Sequence, residues 1–392
     1  MGGVNSSLMK RIYFDNAATS WPKPESVINA VEACLRETGG NPGRSGHRLS
    51  LDAGRVIFDT REALAELFGI DNPLRIVLTK NATEALNTAV FGLFQPGDHV
   101  ITSSMEHNSL MRPLRAMEKM GVDLTVLPCS AAGELDPDQI GPVVRKNTKA
   151  VFITHASNVT GTIMPIADVG RVARRHGILL CVDAAQTAGV LPLDIDEMSV
   201  DLLAFSGHKS LYGLQGTGGL YIREDIEKRL SPLMRGGTGS RSEYEEQPDF
   251  MPDKFESGTP NTPGFAGLRA GISFILSQDM DIIRNHEKRL TDIFLQGIRE
   301  IEGLTIYGPG DASRQTAVVS FTIRGLDPAE AALELEERFG IMSRPGLHCA
   351  PAAHRTIGSF PLGTIRFSFG WFNREEEITL AIDAVRELAG KK

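Results

Sequence analysis

Two runs decide the fold: Ile178-Leu179-Leu180-Cys181-Val182, which leads into Asp183-Ala184-Ala185-Gln186, and Asp201-Leu202-Leu203-Ala204-Phe205, which leads into Ser206-Gly207-His208-Lys209. Each is a short apolar run, as expected of a strand covered on both faces, and each ends in a polar cluster. In open α/β sheets ligands bind at the carboxyl ends of strands. One such end holds an acid, Asp183, and the next holds Lys209. A pyridoxal cofactor needs that pair: a lysine for its Schiff base and an acid against its pyridinium nitrogen. On residue type alone Lys209 reads as a solvated loop lysine, and it is the company of Asp183, Gln186, Ser206 and His208 that overturns this.

Two rival loops fail on spacing. In Ser206-Gly207-His208-Lys209-Ser210, His208 stands between glycine and lysine, where a Walker loop needs them adjacent. Gly213, Gly216, Gly218 and Gly219 precede the strand Leu220-Tyr221-Ile222 and do not join a strand to a helix, as a dinucleotide fingerprint must. They read as a flexible turn.

The chain has 392 residues, 41% of them hydrophobic, enough to bury a large core in about two domains. Its formal net charge of -8 lies in no long like-charge block, which gives nucleic acid no basic face. No apolar run reaches the roughly 18 residues of a membrane span, and no charged-then-apolar leader is present, so neither a membrane nor secretion is expected. Met1-Gly2-Gly3-Val4-Asn5-Ser6 fits a myristoylation pattern, read here as a chance match. Cys34, Cys129, Cys181 and Cys349 are widely spaced, which suggests neither a disulfide framework nor a zinc site. A reducing cytoplasm fits.

Strands and helices alternate through the first two-thirds, the mark of an α/β fold with a mostly parallel sheet. Residues 75–79, 99–103 and 150–154 read as strands, and Asn81-Ala82-Thr83-Glu84 as a helix cap. Residues 230–263 are rich in Gly, Pro, Ser and charge, a long loop region of the kind that carries function. The expected division is a large domain over 20–262 and a smaller α+β domain from 1–19 and 263–392. In the latter, 317–321 and 364–368 read as strands, and Ile378, Ala381, Ile382, Val385 and Leu388 line one helix face.

A phosphate group would suit the helix opening at Ala82-Thr83, where free N–H groups and the dipole attract an anion; the plainer reading makes Asn81 a cap only. Ser206 and His208 would complete the cradle. His107, in Met105-Glu106-His107 at a strand end, is placed to stack on the ring and move protons.

These residues fall into an ordered set. Asp15-Asn16-Ala17-Ala18-Thr19, Asn81-Ala82-Thr83-Glu84, Met105-Glu106-His107, Thr154-His155-Ala156-Ser157-Asn158, Val182-Asp183-Ala184-Ala185-Gln186, Ser206-Gly207-His208-Lys209 and Gly258-Thr259-Pro260-Asn261 occur in the order of the class V aminotransferase superfamily. From Tyr13 to the C-terminal helix the chain resembles the cysteine desulfurases, and within them the SUF-type branch that serves iron–sulfur cluster assembly. The stretch His354–Pro361 departs from the best-known members and resembles a less characterised subgroup.

The resemblance implies a fold-type I pyridoxal phosphate enzyme, a homodimer with sites at the subunit interface, acting on L-cysteine and passing sulfur to an acceptor. It implies Lys209 as the Schiff-base lysine, with Asp183 on the pyridinium nitrogen and Gln186 on the phenolic oxygen. Ala82, Thr83, Ser206 and His208 would hold the phosphate, with Gly258 and Thr259 reaching the neighbouring subunit's. Asn158, Arg344 and Arg366 are implied at the substrate carboxylate, where a guanidinium fork suits a planar acid; Arg366 reads equally as a solvent-facing strand arginine. Arg344-Pro345-Gly346-Leu347-His348-Cys349-Ala350 resembles the segment carrying the nucleophilic cysteine. A thiolate there would gain from a nearby cation, His348 or Arg344. His348, Cys349 and His354 lack a fourth ligand at useful spacing, so no metal is expected. Selenocysteine lyase, transaminase and cysteine-independent lyase activities are the alternatives.

Overall fold

Apolar strands need cover on both faces, and the chain supplies it from two sides. A computed structural model describes residues 11–43 and 45–390; the Met1–Ser6 pattern lies outside the described residues. Strand β1 (Ile12–Tyr13) belongs to the small domain. The next seven strands build the main sheet: β2 (Ile76–Thr79), β3 (His99–Ser103), β4 (Asp123–Leu127), β5 (Thr148–Thr154), β6 (Leu179–Asp183), β7 (Leu202–Ser206) and β8 (Gly218–Ile222). Their order is β2-β8-β7-β6-β5-β3-β4, parallel except where β8 pairs antiparallel with both β2 and β7.

Alternate side chains of these strands enter two cores. Ile101, Val151, Ile153, Leu180, Val182 and Leu203 pack into one, and Val100, Phe152, Leu179, Cys181, Leu202 and Ala204 into the other. Gly218 and Gly219 are not the expected turn; they lie inside β8. A Cβ on Gly219 would stand 2.4 Å from the Phe205 ring, so glycine there admits close packing between β8 and β7.

The small domain pairs β9 (Leu304–Tyr307), β10 (Val318–Ile323), β12 (Arg344–Gly346) and β13 (Thr364–Ser368) in the antiparallel order β12-β13-β10-β9, while β11 (Ile341–Met342) pairs with β1. Its own core holds Phe14, Phe294, Phe321 and Phe367 together with Ile378, Ala381, Ile382, Val385 and Leu388 of the last helix. The helix Thr262–Gln278 instead sends Phe265, Leu268, Ile272 and Ile275 into the main-sheet core. The helix Met280–Ile298 begins there with Ile283 and continues into the small core with Leu290 and Phe294. We therefore propose that the division falls within that helix and not after residue 262.

Candidate active site

The floor of the site is the carboxyl end of β6 and β7. Asp183 ends β6 and pairs across the ladders with Thr154 of β5 and Ala204 of β7. It is buried, and one carboxylate oxygen accepts the Ala185 N–H at 2.9 Å. Burial raises its pKa, opposed by that N–H and by Lys209. Lys209 lies three residues beyond β7. Burial lowers its pKa to about 8 against the pull of Asp183, with Arg366 and Arg344 adding to the lowering.

An N-terminal strap fixes this lysine's backbone. Ser20 Oγ donates to the Lys209 carbonyl at 2.8 Å; Thr19 Oγ1 and Lys23 Nζ donate to the His208 carbonyl at 3.0 and 2.8 Å. Gln186 Nε2 donates to the Ala17 carbonyl at 3.1 Å, which anchors the strap to the loop after β6.

Beside the floor the helix Ala82–Leu93 opens toward the site. Asn81 caps it, accepting the Glu84 N–H at 2.9 Å, while the Glu84 carboxylate accepts the Lys80 N–H at 2.6 Å. The Ala82 N–H donates to Ser206 Oγ at 3.1 Å, which joins the helix start to β7. Thr83, exposed in the first turn, has a backbone N–H with no intrahelical partner. His208 Nδ1 is buried without a hydrogen-bond partner. Ser206 thus meets the helix start at Ala82, and with the free Thr83 N–H and the unpartnered His208 Nδ1 it offers groups suited to an anion. Thr259 does not join them within one chain: its hydroxyl meets Asn41 Nδ2 at 3.5 Å, and with Gly258 it lines an open cleft of about 620 Å³ alongside Thr79, Lys80 and Gly216.

His107 caps the helix Asn108–Lys119 by accepting the Ser109 N–H on Nδ1 at 3.0 Å. Burial, then Lys209 and the nearby arginines, drives its pKa to about 3. The ring is neutral, with its proton on Nε2. A ring so committed does not accept a Cα proton, which corrects the expectation that His107 carries protons; its face remains suited to covering a planar cofactor.

Arg366 on β13 and Arg344 on β12 are direct ladder partners. Arg366 is fully buried and does not face solvent. Its Nη2 donates to the Asp15 carboxylate at 2.7 Å and its Nη1 to the Asn158 carbonyl at 3.0 Å, while Nε is buried without a partner. Asn158 Nδ2 donates to the His348 carbonyl at 2.7 Å, which leaves its Oδ1 unpartnered. As placed, its free atom is an acceptor, which does not suit a carboxylate, whereas the free Nε–H of Arg366 does.

Cys349 is exposed, and Arg344 Nη2 stands 3.7 Å from its Sγ. Backbone φ is +47° at His348 and +59° at Cys349, two consecutive left-handed residues that only their surroundings can hold. The Cys349 carbonyl accepts the Asn108 N–H at 2.8 Å. His348 is buried, and its pKa is held well below the usual imidazole range by burial and by Arg366. This corrects the expectation that His348 could be the cation for the thiol; of the two residues named, Arg344 is the one beside the sulfur. Among the described residues no group of three His, Cys, Asp or Glu is arranged to hold a metal.

Buried unpartnered polar atoms are few in folded proteins. Among the described residues nine such side-chain atoms occur, and those of His208 and Arg366 belong to residues that interact electrostatically with Lys209. These residues fit pyridoxal phosphate: a helix start for the phosphate, an acid for the ring nitrogen, and an amine for the carbonyl carbon. Sequence reading passed over three groups: Asp15, which holds Arg366; Lys23, which holds the His208 carbonyl; and the buried Glu106. Asp15 and Glu106 lie in motifs already quoted, so position was legible and role was not.

The fold is that of the fold-type I pyridoxal phosphate enzymes. Residues 12–380 match the aminotransferase class-V family, and the chain belongs to it. A probable cysteine desulfurase of Methanothermobacter thermautotrophicus is 36% identical over 389 residues, covering 98% of this chain and 96% of that protein. A cysteine desulfurase of Haloferax volcanii is 32% identical over 388 residues, covering 96% and 90%. The apo structure of the cysteine desulfurase from Thermococcus onnurineus superposes with a TM-score of 0.91 at 34% identity, covering 97% of this chain and 95% of that one.

Proposed function

We propose that this chain is a pyridoxal phosphate-dependent cysteine desulfurase that converts L-cysteine to L-alanine and takes the sulfur as a persulfide on Cys349. The observation that carries this reading is an exposed thiol 3.7 Å from the Arg344 guanidinium, on the strand paired with the one bearing Arg366. A transaminase has no use for that thiol.

Arg366, already pinned by Asp15, offers its unpartnered Nε–H to the substrate carboxylate. When bound, pyridoxal phosphate supplies the electron sink that stabilises the carbanion at Cα. With its pKa lowered to about 8, the Lys209 amine is about half neutral at that pH and would take the Cα proton, the role His107 cannot fill. The Cys349 thiolate, facing Arg344, then attacks the substrate sulfur. The S–S bond forms as the Cβ–S bond breaks; the electron pair stays on the carbon skeleton, which takes a proton at Cβ, recovers the one lost from Cα and leaves as alanine.

Dimeric sites completed by Thr259 of a second chain are supported by the open cleft that Thr259 lines; a monomer active at assay concentration refutes them. A reducing cytoplasm and a sulfur-accepting partner are consistent with an exposed free thiol. The test is to supply L-cysteine to the holoenzyme. Cys349→Ser should retain the cofactor, while alanine and sulfide release fall by about 100-fold or more, and the wild-type protein should gain one sulfur on Cys349 by mass spectrometry. Full turnover by the serine variant would overturn the reading in favour of a cysteine-independent lyase or transaminase.

A further inference from the structure

Glu106 is fully buried, and no cation among the described residues offsets it. Its Oε1 lies 2.6 Å from Ser103 Oγ, at the end of β3, and its Oε2 accepts the Thr154 N–H at 2.9 Å, at the end of β5. Thr154 is the ladder partner of Asp183, and the next N–H, that of His155, donates to the Asp183 carbonyl at 2.9 Å. One carboxyl group therefore ties the turn after β3 to β5, the strand paired with the one that ends in Asp183.

The same turn reaches the cysteine segment by two further contacts. The Asn108 N–H donates to the Cys349 carbonyl at 2.8 Å, and Thr356 Oγ1, at the end of the helix Pro351–Thr356, donates to Ser104 Oγ at 2.9 Å. His107 sits between Glu106 and Asn108. We propose that Glu106 is a positioning residue that holds the turn 103–108 on β5, and thereby fixes both His107 and the left-handed Cys349 backbone relative to Asp183. This rests on the desulfurase reading only for its kinetic arm.

Glu106 does this as a neutral acid. The titratable groups that face it are Asp183 and Cys181 on β6 and Cys129 beyond β4; all three would be made harder to ionise by a second buried anion. Burial, with Asp183 adding to it, raises its pKa to about 8, opposed by its hydrogen bonds with Ser103 and Thr154. When protonated, its O–H donates to Ser103 Oγ across the 2.6 Å contact while Oε2 accepts the Thr154 N–H. The proton on Glu106 reserves the negative charge for Asp183, where the ring nitrogen uses it.

The test compares Glu106→Gln, which keeps the neutral shape, with Glu106→Ala, which removes the strut. In cofactor-free protein, amide exchange at Asn108 should accelerate by about tenfold or more in the alanine variant and stay within about threefold of wild type in the glutamine variant, with β8 amides unchanged in both. In the holoenzyme the alanine variant should lose about tenfold or more in kcat on L-cysteine, with a smaller change in KM, and glutamine should restore most of it. Unchanged Asn108 exchange in the alanine variant overturns the positioning role. A folded glutamine variant as damaged as the alanine one overturns the neutral acid. Should Glu106→Ala not fold, Ser103→Ala, which weakens the same strut, takes its place. If wild-type protein fails to turn over L-cysteine, the desulfurase reading falls while the exchange data still decide Glu106.

Discussion

The cofactor floor and the thiol segment are built in opposite ways. On the floor, Asp183 and Ser206 end strands that are buried along their whole length, and Lys209 is held through its carbonyl by Ser20. The thiol segment leaves a three-residue strand, puts two non-glycine residues in left-handed backbone, and exposes Cys349. What fixes it comes from far along the chain: Asn108 on the Cys349 carbonyl and Asn158 on the His348 carbonyl. The floor must keep a cofactor in one place through many cycles. On the proposed function, the thiol would have to reach a substrate sulfur and then pass it on, which suits its exposed turn with little packing of its own.

The largest effect should come from breaking the floor. Lys209→Ala should abolish covalent capture of pyridoxal phosphate and lower turnover of L-cysteine by about a thousandfold or more, because the anchoring amine and the base are lost together. Absorbance of the purified variant and an alanine assay check both. A variant that keeps appreciable turnover would move the anchor to another lysine and undo the contrast between the two regions.

The pH dependence of cofactor loading is a finer probe of the floor. Only a neutral amine attacks the cofactor's carbonyl carbon, and burial lowers the Lys209 pKa from its usual value to about 8. Loading of cofactor-free protein should therefore rise by about tenfold per pH unit below that value and level off above it. Stopped-flow absorbance between pH 6 and about 10 measures it. A rate still climbing at the top of that range would mean that Lys209 is as wet as a surface lysine and that the strap does not seal it.

The same contrast decides what was legible in the sequence. The floor was, because a strand buried on both faces is written in consecutive residues: Asp183 falls at the end of β6 and Ser206 at the end of β7, as the same signal placed 99–103 in the main sheet and 364–368 in the small one. The helix cap at Asn81 was also local, with Glu84 reaching one residue further back than a simple cap predicts. The roles of His348 and His107 were not legible, since an imidazole's charge depends on burial and on neighbours from distant segments. Nor was the place of the helix Thr262–Gln278, whose apolar face is compatible with either core; its packing against helices Glu25–Glu37 and Arg48–Phe68 is a tertiary choice. Gly218 and Gly219 misled because glycine signals a turn as readily as close packing, and only the Phe205 ring tells them apart.

The smallest effect probes the thiol segment's backbone, with activity set aside. Cys349 is exposed, so Cys349→Ala and Cys349→Gly both remove little packing. Glycine in ordinary backbone is the less stable of the two, because it has more freedom to lose on folding. At a φ of +59° the order should reverse, since alanine carries the penalty of a Cβ in left-handed backbone and glycine does not. The expected difference is about 1 kcal/mol in favour of glycine, read from urea midpoints at one protein concentration. Equal or reversed stabilities would show that the alanine variant leaves the left-handed region freely. In that event the contacts from Asn108 and Asn158 do not hold the segment, and its geometry is set by its own Pro345-Gly346 and Pro351 instead.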